Sequence, residues 1–286
     1  MSLSGRAASI HDRLLAKAKD EKRDFNLMLT KYTLERFLYR ISISPSADQF
    51  LLKGALLFDL WFAIPRRPTR DADFLGLEAR DGKEMAKIFR DICSCECDDG
   101  MLYSAESVTA IEIREDARYG GLRVELMGFL GNARCGVQVD IGFGDAVTPD
   151  PITASFPLLL ADNPAPVLKV YPKETAIAEK LEAIVSLGMA NSRMKDYFDL
   201  HILLSESVLD VAVLGKAVRR TFDRRQTALP AGVLPAGLSE DFAMADGKKA
   251  QWRAFLSRNH LEAPSLEAVT AGICAGAMQL FTLASR

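Results

Sequence analysis

Residues 1–45 carry apolar side chains at helical spacing. Leu14, Leu15, Ala18, Phe25, Met28, Tyr32, Leu34, Phe37 and Leu38 recur among charges until Ser42, Ser44 and Pro45 break the pattern. A second apolar run, Phe50–Phe62, predicts a helix beginning near Lys53-Gly54. The turn-rich stretch Ile64–Arg70 leads into a short alternating strand, D-A-D-F-L-G-L from Asp71, and then an amphipathic helix over 81–92. The period then changes from helical to two. S-V-T-A-I-E-I-R-E, G-L-R-V-E-L-M-G-F-L and G-V-Q-V-D-I-G-F-G alternate, with turn signals at Tyr119-Gly120-Gly121 and Gly131-Asn132, and predict two successive hairpins in one antiparallel sheet. Pro-containing connections over 149–172 close that part. Helical periodicity returns after Pro172 in three segments, and a Pro/Gly loop at 230–238 precedes two last helices, 239–257 and 264–284.

This order predicts an α+β protein with N-terminal helices, a mixed or antiparallel sheet, and a helical C-terminal domain, divided as 1–165 and 166–286. The chain has 286 residues, enough for a core without staples, and its 49% apolar and 26% charged residues exclude a disordered chain. Lys plus Arg is 36 against 38 for Asp plus Glu, which excludes a uniformly basic nucleic-acid coat while leaving room for a local basic patch. No run reaches the ~18 uninterrupted apolar residues of a membrane span, and the N-terminus lacks the apolar stretch of a signal peptide. A cytoplasmic protein with no membrane partner is expected. Cys93, Cys95 and Cys97 have the spacing of one strand face, closer than usual zinc spacings, and are expected to be packing residues.

Asp71-Ala72-Asp73 is the first candidate for chemistry. Residues two apart on a strand project to one side, so both carboxylates can grip a hard cation such as Mg2+, while Ala72 and Phe74 face the other way. Upstream, Lys53-Gly54-Ala55 is a small-residue turn able to offer backbone N–H groups to phosphate. Arg66, Arg67 and Arg70 place cations close to Asp71, as a metal-bridged triphosphate requires, although a solvated basic loop has the same composition. Asp140 sits among Val137, Val139 and Ile141, so it shares a polar face with Gln138 and Gly142. An antiparallel neighbour strand there would make it a third carboxylate for metal and for activating a hydroxyl. Asp145, after Gly144, reads as a loop acid.

At ~100° per residue, Lys180 falls inside the apolar arc of its helix, either as a phosphate-binding cation or as a snorkelling side chain. Glu179 and Glu182 are expected on the exposed face. Asp196 lies on the inward stripe of the next helix and Asp199 at its edge. Asp196 can be read as functional or as a first-turn residue offsetting the helix dipole. The run Arg219–Arg225 is either a solvated helix end or a contact for nucleic-acid phosphates.

The succession K-G-A (Lys53–Ala55), R-P-T-R-D-A-D-F (Arg67–Phe74), V-D-I-G-F-G-D (Val139–Asp145), A-I-A-E-K-L-E-A (Ala176–Ala183) and R-M-K-D-Y-F-D-L (Arg193–Leu200) resembles the AbiEii/AbiGii toxin family. These are nucleotidyltransferase-like proteins of the DNA polymerase beta-type superfamily. The resemblance spans roughly residues 50–205. It implies a nucleotidyltransferase-like core and Mg2+-dependent transfer of a nucleoside monophosphate from an NTP to an RNA, such as a tRNA 3′ end, or to a protein hydroxyl. A cognate antitoxin is also implied. The metal ligands it implies are Asp71 and Asp73, with Asp140 as third acid. Lys53, Gly54, Ala55, Arg67, Thr69, Arg70 and Lys180 would hold the nucleotide, and Asp196 and Asp199 would form the floor of the active site. Ala55 departs from the pattern, because related turns carry a second glycine or a serine there. A small-molecule nucleotidyltransferase of the antibiotic-modifying kind and a non-catalytic binding module are the alternatives.

Overall fold

The structure, a computed structural model, describes residues 3–62, 67–116, 119–230 and 232–285. The chain divides into two compact units, Met1–Gly144 with Ile152–Val170, and Asp145–Pro151 with Tyr171–Arg286.

The first unit opens with helices α1 (Leu3–Asp20) and α2 (Phe25–Ile43), the second capped by the Asp24 side chain, which accepts from the Leu27 N–H. Where a helix was expected to begin near Lys53-Gly54, the chain forms strand β1 (Phe50–Lys53), one 3-10 turn at Gly54–Leu56 and the short helix α3 (Leu57–Trp61). All four residues of β1 are buried, and an apolar run that short has no period to tell strand from helix. Strand β2 (Asp71–Gly76) follows, then α4 (Gly82–Cys93), which starts on a reciprocal Asp81/Glu84 capping box. Cys93 ends that helix and Cys95 and Cys97 lie in the loop beyond it, so the cysteines do not form the expected strand.

Strands β3 (Met101–Asp116), β4 (Tyr119–Leu130) and β5 (Ala133–Phe143) form the two expected hairpins. Tyr119, Gly120 and Gly121 belong to β4 rather than to a turn. Glycine at 121 suits a close backbone, since a Cβ there would lie 3.0 Å from the Ile141 carbonyl oxygen. The segment expected to be only connections contributes two more strands, β6 (Ile152–Ser155) and β7 (Val167–Val170).

Together these strands make a seven-stranded mixed sheet in the order β3-β4-β5-β2-β1-β7-β6. β2 runs parallel to β5 and β1 parallel to β7, whereas the other pairs are antiparallel. The D-x-D strand therefore lies beside Asp140 in parallel, not antiparallel, pairing. The buried rings of Phe37, Phe50, Phe74 and Phe89 pack at centroid distances of 5.9 Å. Because Ala72 and Phe74 are sealed into this core, Asp71 and Asp73 are turned to the opposite face. Arg40 on α2 ties the core to the loop before β3, donating to both oxygens of buried Asp99 at 2.7 and 3.0 Å.

The second unit is helical: α5 (Lys173–Leu187), α6 (Met194–Glu206), α7 (Val211–Arg224), α8 (Glu240–Met244), α9 (Asp246–Asn259) and α10 (Leu266–Ala284). The single helix expected over 239–257 is interrupted at Ala245, which separates α8 from α9. By length and composition α10 is apolar enough to cross a membrane, at a mean hydropathy of 1.4. Its Val269, Ile273, Ala277, Leu280 and Phe281 are buried, however, and Phe281 meets Phe222 of α7 edge to face.

Candidate active site

On β2 the alternation leaves Asp71 and Asp73 partly exposed between buried Ala72 and Phe74. Lys53, the last residue of β1, pairs in register with Asp73 and is buried. The chain then turns at Gly54, with φ at +74°, directly against that carboxylate: a Cβ at 54 would lie 1.9 Å from Asp73 Oδ2. Only glycine fits there, on both backbone and contact grounds. Ala55 is buried next to it. Thr69 donates its hydroxyl to the Asp71 carboxylate, which fixes the first acid. Arg67 is half-buried and Arg70 exposed, while Arg66 lies outside the described residues.

Strand register extends the site sideways. Asp73 pairs with Asp140 on β5, and Asp140 pairs with Arg123 on β4; one row along, Asp71, Gln138 and Glu125 are likewise matched. All these residues share one face of the sheet. Asp140 does not stand open. Arg123 donates Nε to its Oδ1 and Nη2 to its Oδ2, both at 2.8 Å, and Gln138 Nε2 lies 3.3 Å from each oxygen. Among the described residues, no group of three or more His, Cys, Asp or Glu is placed to hold a metal. Asp71 and Asp73 nevertheless fit Mg2+, which takes one or two carboxylates and fills its shell with water and substrate phosphate. An open groove of 540 Å³ begins beside this pair, lined by Arg70, Gln138, Glu125, Thr109, Ser107 and Met127 among others.

The remaining predicted residues come together within the second unit. Lys180 on α5 reaches Asp196 Oδ1 at 2.9 Å and Asp199 Oδ2 at 2.8 Å on α6, and Arg193 Nε reaches the other oxygen of Asp196 at 2.7 Å. Both aspartates are fully buried. Burial opposes the ionisation of Asp196, but Lys180 and then Arg193 outweigh it and hold the carboxyl at about 2. The cap position of α6 belongs to Arg193, so Asp196 is not the N-cap.

Glu179 and Glu182, expected on an exposed face, are largely buried. With Asp145, no idle loop acid, they surround Arg225, whose contacts are 2.9 Å to Glu182, 3.0 Å to Asp145 and 3.6 Å to Glu179. Helix α5 is buried on most sides, so it has no single apolar stripe opposite an exposed face. The basic run accordingly splits: Arg225 is structural, whereas Arg219, Arg220 and Arg224 are exposed.

Arg123 was the residue that sequence reasoning missed. Its signal was present: counting outward from the two-residue turn Gly131-Asn132, Leu130 faces Ala133 and Arg123 faces Asp140.

The sequence profile of the nucleotidyl transferase AbiEii toxins of type IV toxin–antitoxin systems matches residues 36–271. The chain belongs to this family. AbiEii proteins are nucleotidyltransferase toxins, and the chain is an enzyme of that class. Among solved structures it is similar to MenT4, a nucleotidyltransferase toxin from Mycobacterium tuberculosis. The two share 15% identity, the match covers 96% of this chain and 89% of that one, and the TM-score is 0.55, a likeness of fold. JHP933 from Helicobacter pylori aligns at 14% identity over 88% of this chain and 91% of that one, with a TM-score of 0.45. No curated protein matches the chain.

Proposed function

We propose that this AbiEii-family enzyme transfers a nucleoside monophosphate from an NTP to a hydroxyl at an RNA end, such as the 3′ end of a tRNA, and does so with Mg2+. The observation that carries the reading is the seat of Asp73 against Gly54, with Asp71 beside it on the same strand face. A bound Mg2+ supplies charge neutralisation for the triphosphate and its leaving pyrophosphate.

Everything else is done by the chain. The Gly54-Ala55 turn brings backbone to the phosphates without a side chain in the way. Arg67 and Arg70 add cations on the same side, and Thr69 keeps Asp71 from rotating. Within the second unit, Asp196 and Asp199 hold the Lys180 ammonium in one orientation. Phosphoryl transfer needs little covalent help from the protein, so positioning and charge supply most of the rate.

The groove beside Asp71 supports a macromolecular acceptor over an antibiotic-sized one, because it is open rather than enclosed. Arg70 at its rim suits the phosphate of an RNA strand, and Glu125 suits ribose hydroxyls. Transfer from an NTP to RNA fits a cytoplasmic enzyme, and toxin-family membership supports a cognate antitoxin as partner.

The test is label transfer. Protein, Mg2+ and each α-labelled NTP are incubated with total RNA and, separately, total protein, beside Asp71→Ala/Asp73→Ala. Label on an RNA band with wild type alone is the expected outcome. Label on a protein band replaces the acceptor, and no label on either, with each NTP, removes the reading.

A further inference from the structure

We infer that Arg123 occupies the place of a second metal ion, so that the site works with one divalent cation on Asp71 and Asp73 while Asp140 holds the guanidinium. This rests on the nucleotidyl transfer reading above.

An ionised carboxylate offers about four lone-pair positions. At Asp140 the Arg123 fork takes one on each oxygen, Nε to Oδ1 and Nη2 to Oδ2, both at 2.8 Å, and the Gln138 amide nitrogen, 3.3 Å from both oxygens, is shared between them. The paired fork is the strong form of an arginine–carboxylate bond. It is also set by the sheet, because Arg123 and Asp140 are direct partners in the β4–β5 register. The Asp140 side chain is 10% exposed beneath an arginine that is 33% exposed, so the guanidinium covers the carboxylate.

In two-metal transfer sites the ions lie roughly 3.5–4 Å apart and are bridged by shared ligands. A second Mg2+ on Asp140 would have to strip this fork and then sit against a cation that never loses its proton. The guanidinium already supplies the positive charge that Asp140 needs, through two charge-assisted bonds. Gly54 leaves Asp73 its seat on the other side, so the two halves of the row are built for different cations: a metal at Asp71 and Asp73, a guanidinium at Asp140.

The experiment counts Mn2+ bound per chain, by electron paramagnetic resonance, in the presence of α,β-methylene analogues of the four ribonucleoside triphosphates. Wild type is expected to bind one ion with its preferred nucleotide. Arg123→Gln is expected to bind two, since Asp140 is then released as a ligand, and Arg123→Gln/Asp140→Asn to return to one. Arg123→Lys keeps a cation without the fork and covers the case in which the glutamine variant fails to fold; one ion is expected. Asp73→Asn weakens the wild-type ion by about 10-fold or more.

Two ions in wild type would overturn the inference, as would a folded Arg123→Gln that stays at one. A second ion in Arg123→Lys overturns it too. No Mn2+ with any analogue would bring down the nucleotidyl transfer reading itself, a different and recognisable result.

Discussion

At the scale of single residues the site depends on a few contacts that tolerate no substitute. Gly54→Ala sets a methyl group into Asp73 and forces an L-residue to a φ of +74°. The backbone alone costs roughly 1–2 kcal/mol, and the displaced carboxylate is expected to cut label transfer by about 100-fold, as a 1 Å misplacement does in other sites. A melting curve and a transfer assay check both, and a fully active alanine variant would remove Gly54 from the site. Lys180→Met leaves Asp196 and Asp199 buried without their ammonium, a loss of about 3–5 kcal/mol in chemical denaturation; a change below ~1 kcal/mol would make the cluster an ordinary surface pair. The Asp196 carboxyl, held at about 2 against an ordinary 3.8, stabilises the fold fully above the ordinary value and loses that contribution as pH falls through about 2. Asp196→Asn is expected to flatten this acid limb of the stability curve.

At the scale of elements, α2 is tied to its surroundings through buried charges rather than through its apolar stripe alone. Glu35 accepts from Arg36 Nε at 3.0 Å and from the Leu159 N–H at 2.6 Å, which joins the helix to the segment between β6 and β7. Burial pushes its carboxyl up to about 7, against the pull of Arg36. A carboxyl with a raised folded-state pKa gives its full stabilisation below the ordinary 4.5 and loses it as pH rises through about 7. Melting temperature is therefore expected to decline between pH 5 and 8 in wild type and to change less in Glu35→Gln. Equal slopes in the two proteins would show that Glu35 is ionised throughout.

The elements also show where sequence patterns stop being informative. The hairpins β3–β4–β5 and helices α5 to α7 announced themselves by long runs of one period. Strands β1, β6 and β7 have four residues each, too few to display any period. Phe50–Lys53 reads only as the apolar lead-in to a helix near Lys53-Gly54, and its membership of the sheet follows from pairing with β2 and β7.

For the molecule as a whole, family membership and the acid pair combine into one cellular expectation. Expression of the wild-type chain alone is expected to arrest growth, and Asp71→Ala/Asp73→Ala is expected to grow normally while remaining folded. Replacing two neighbouring carboxylates removes repulsion, so the melting temperature of that variant should not fall. Arrest by both proteins would separate toxicity from the acids on β2.

The local pattern determined much of this protein: the α+β class, the helical second half, the two hairpins, and Asp71 and Asp73 on one side of a strand. These follow from side-chain periods of 2 and 3.6, which act between near neighbours and can be read along the chain. Tertiary structure alone decided which distant charges meet. The Arg123–Asp140 fork spans one hairpin and can be counted from its turn, but Asp145 is claimed by Arg225 from 80 residues away, through packing that no local period encodes. An ion pair needs two side chains within a few ångströms, and for groups so far apart in sequence the fold itself sets that distance.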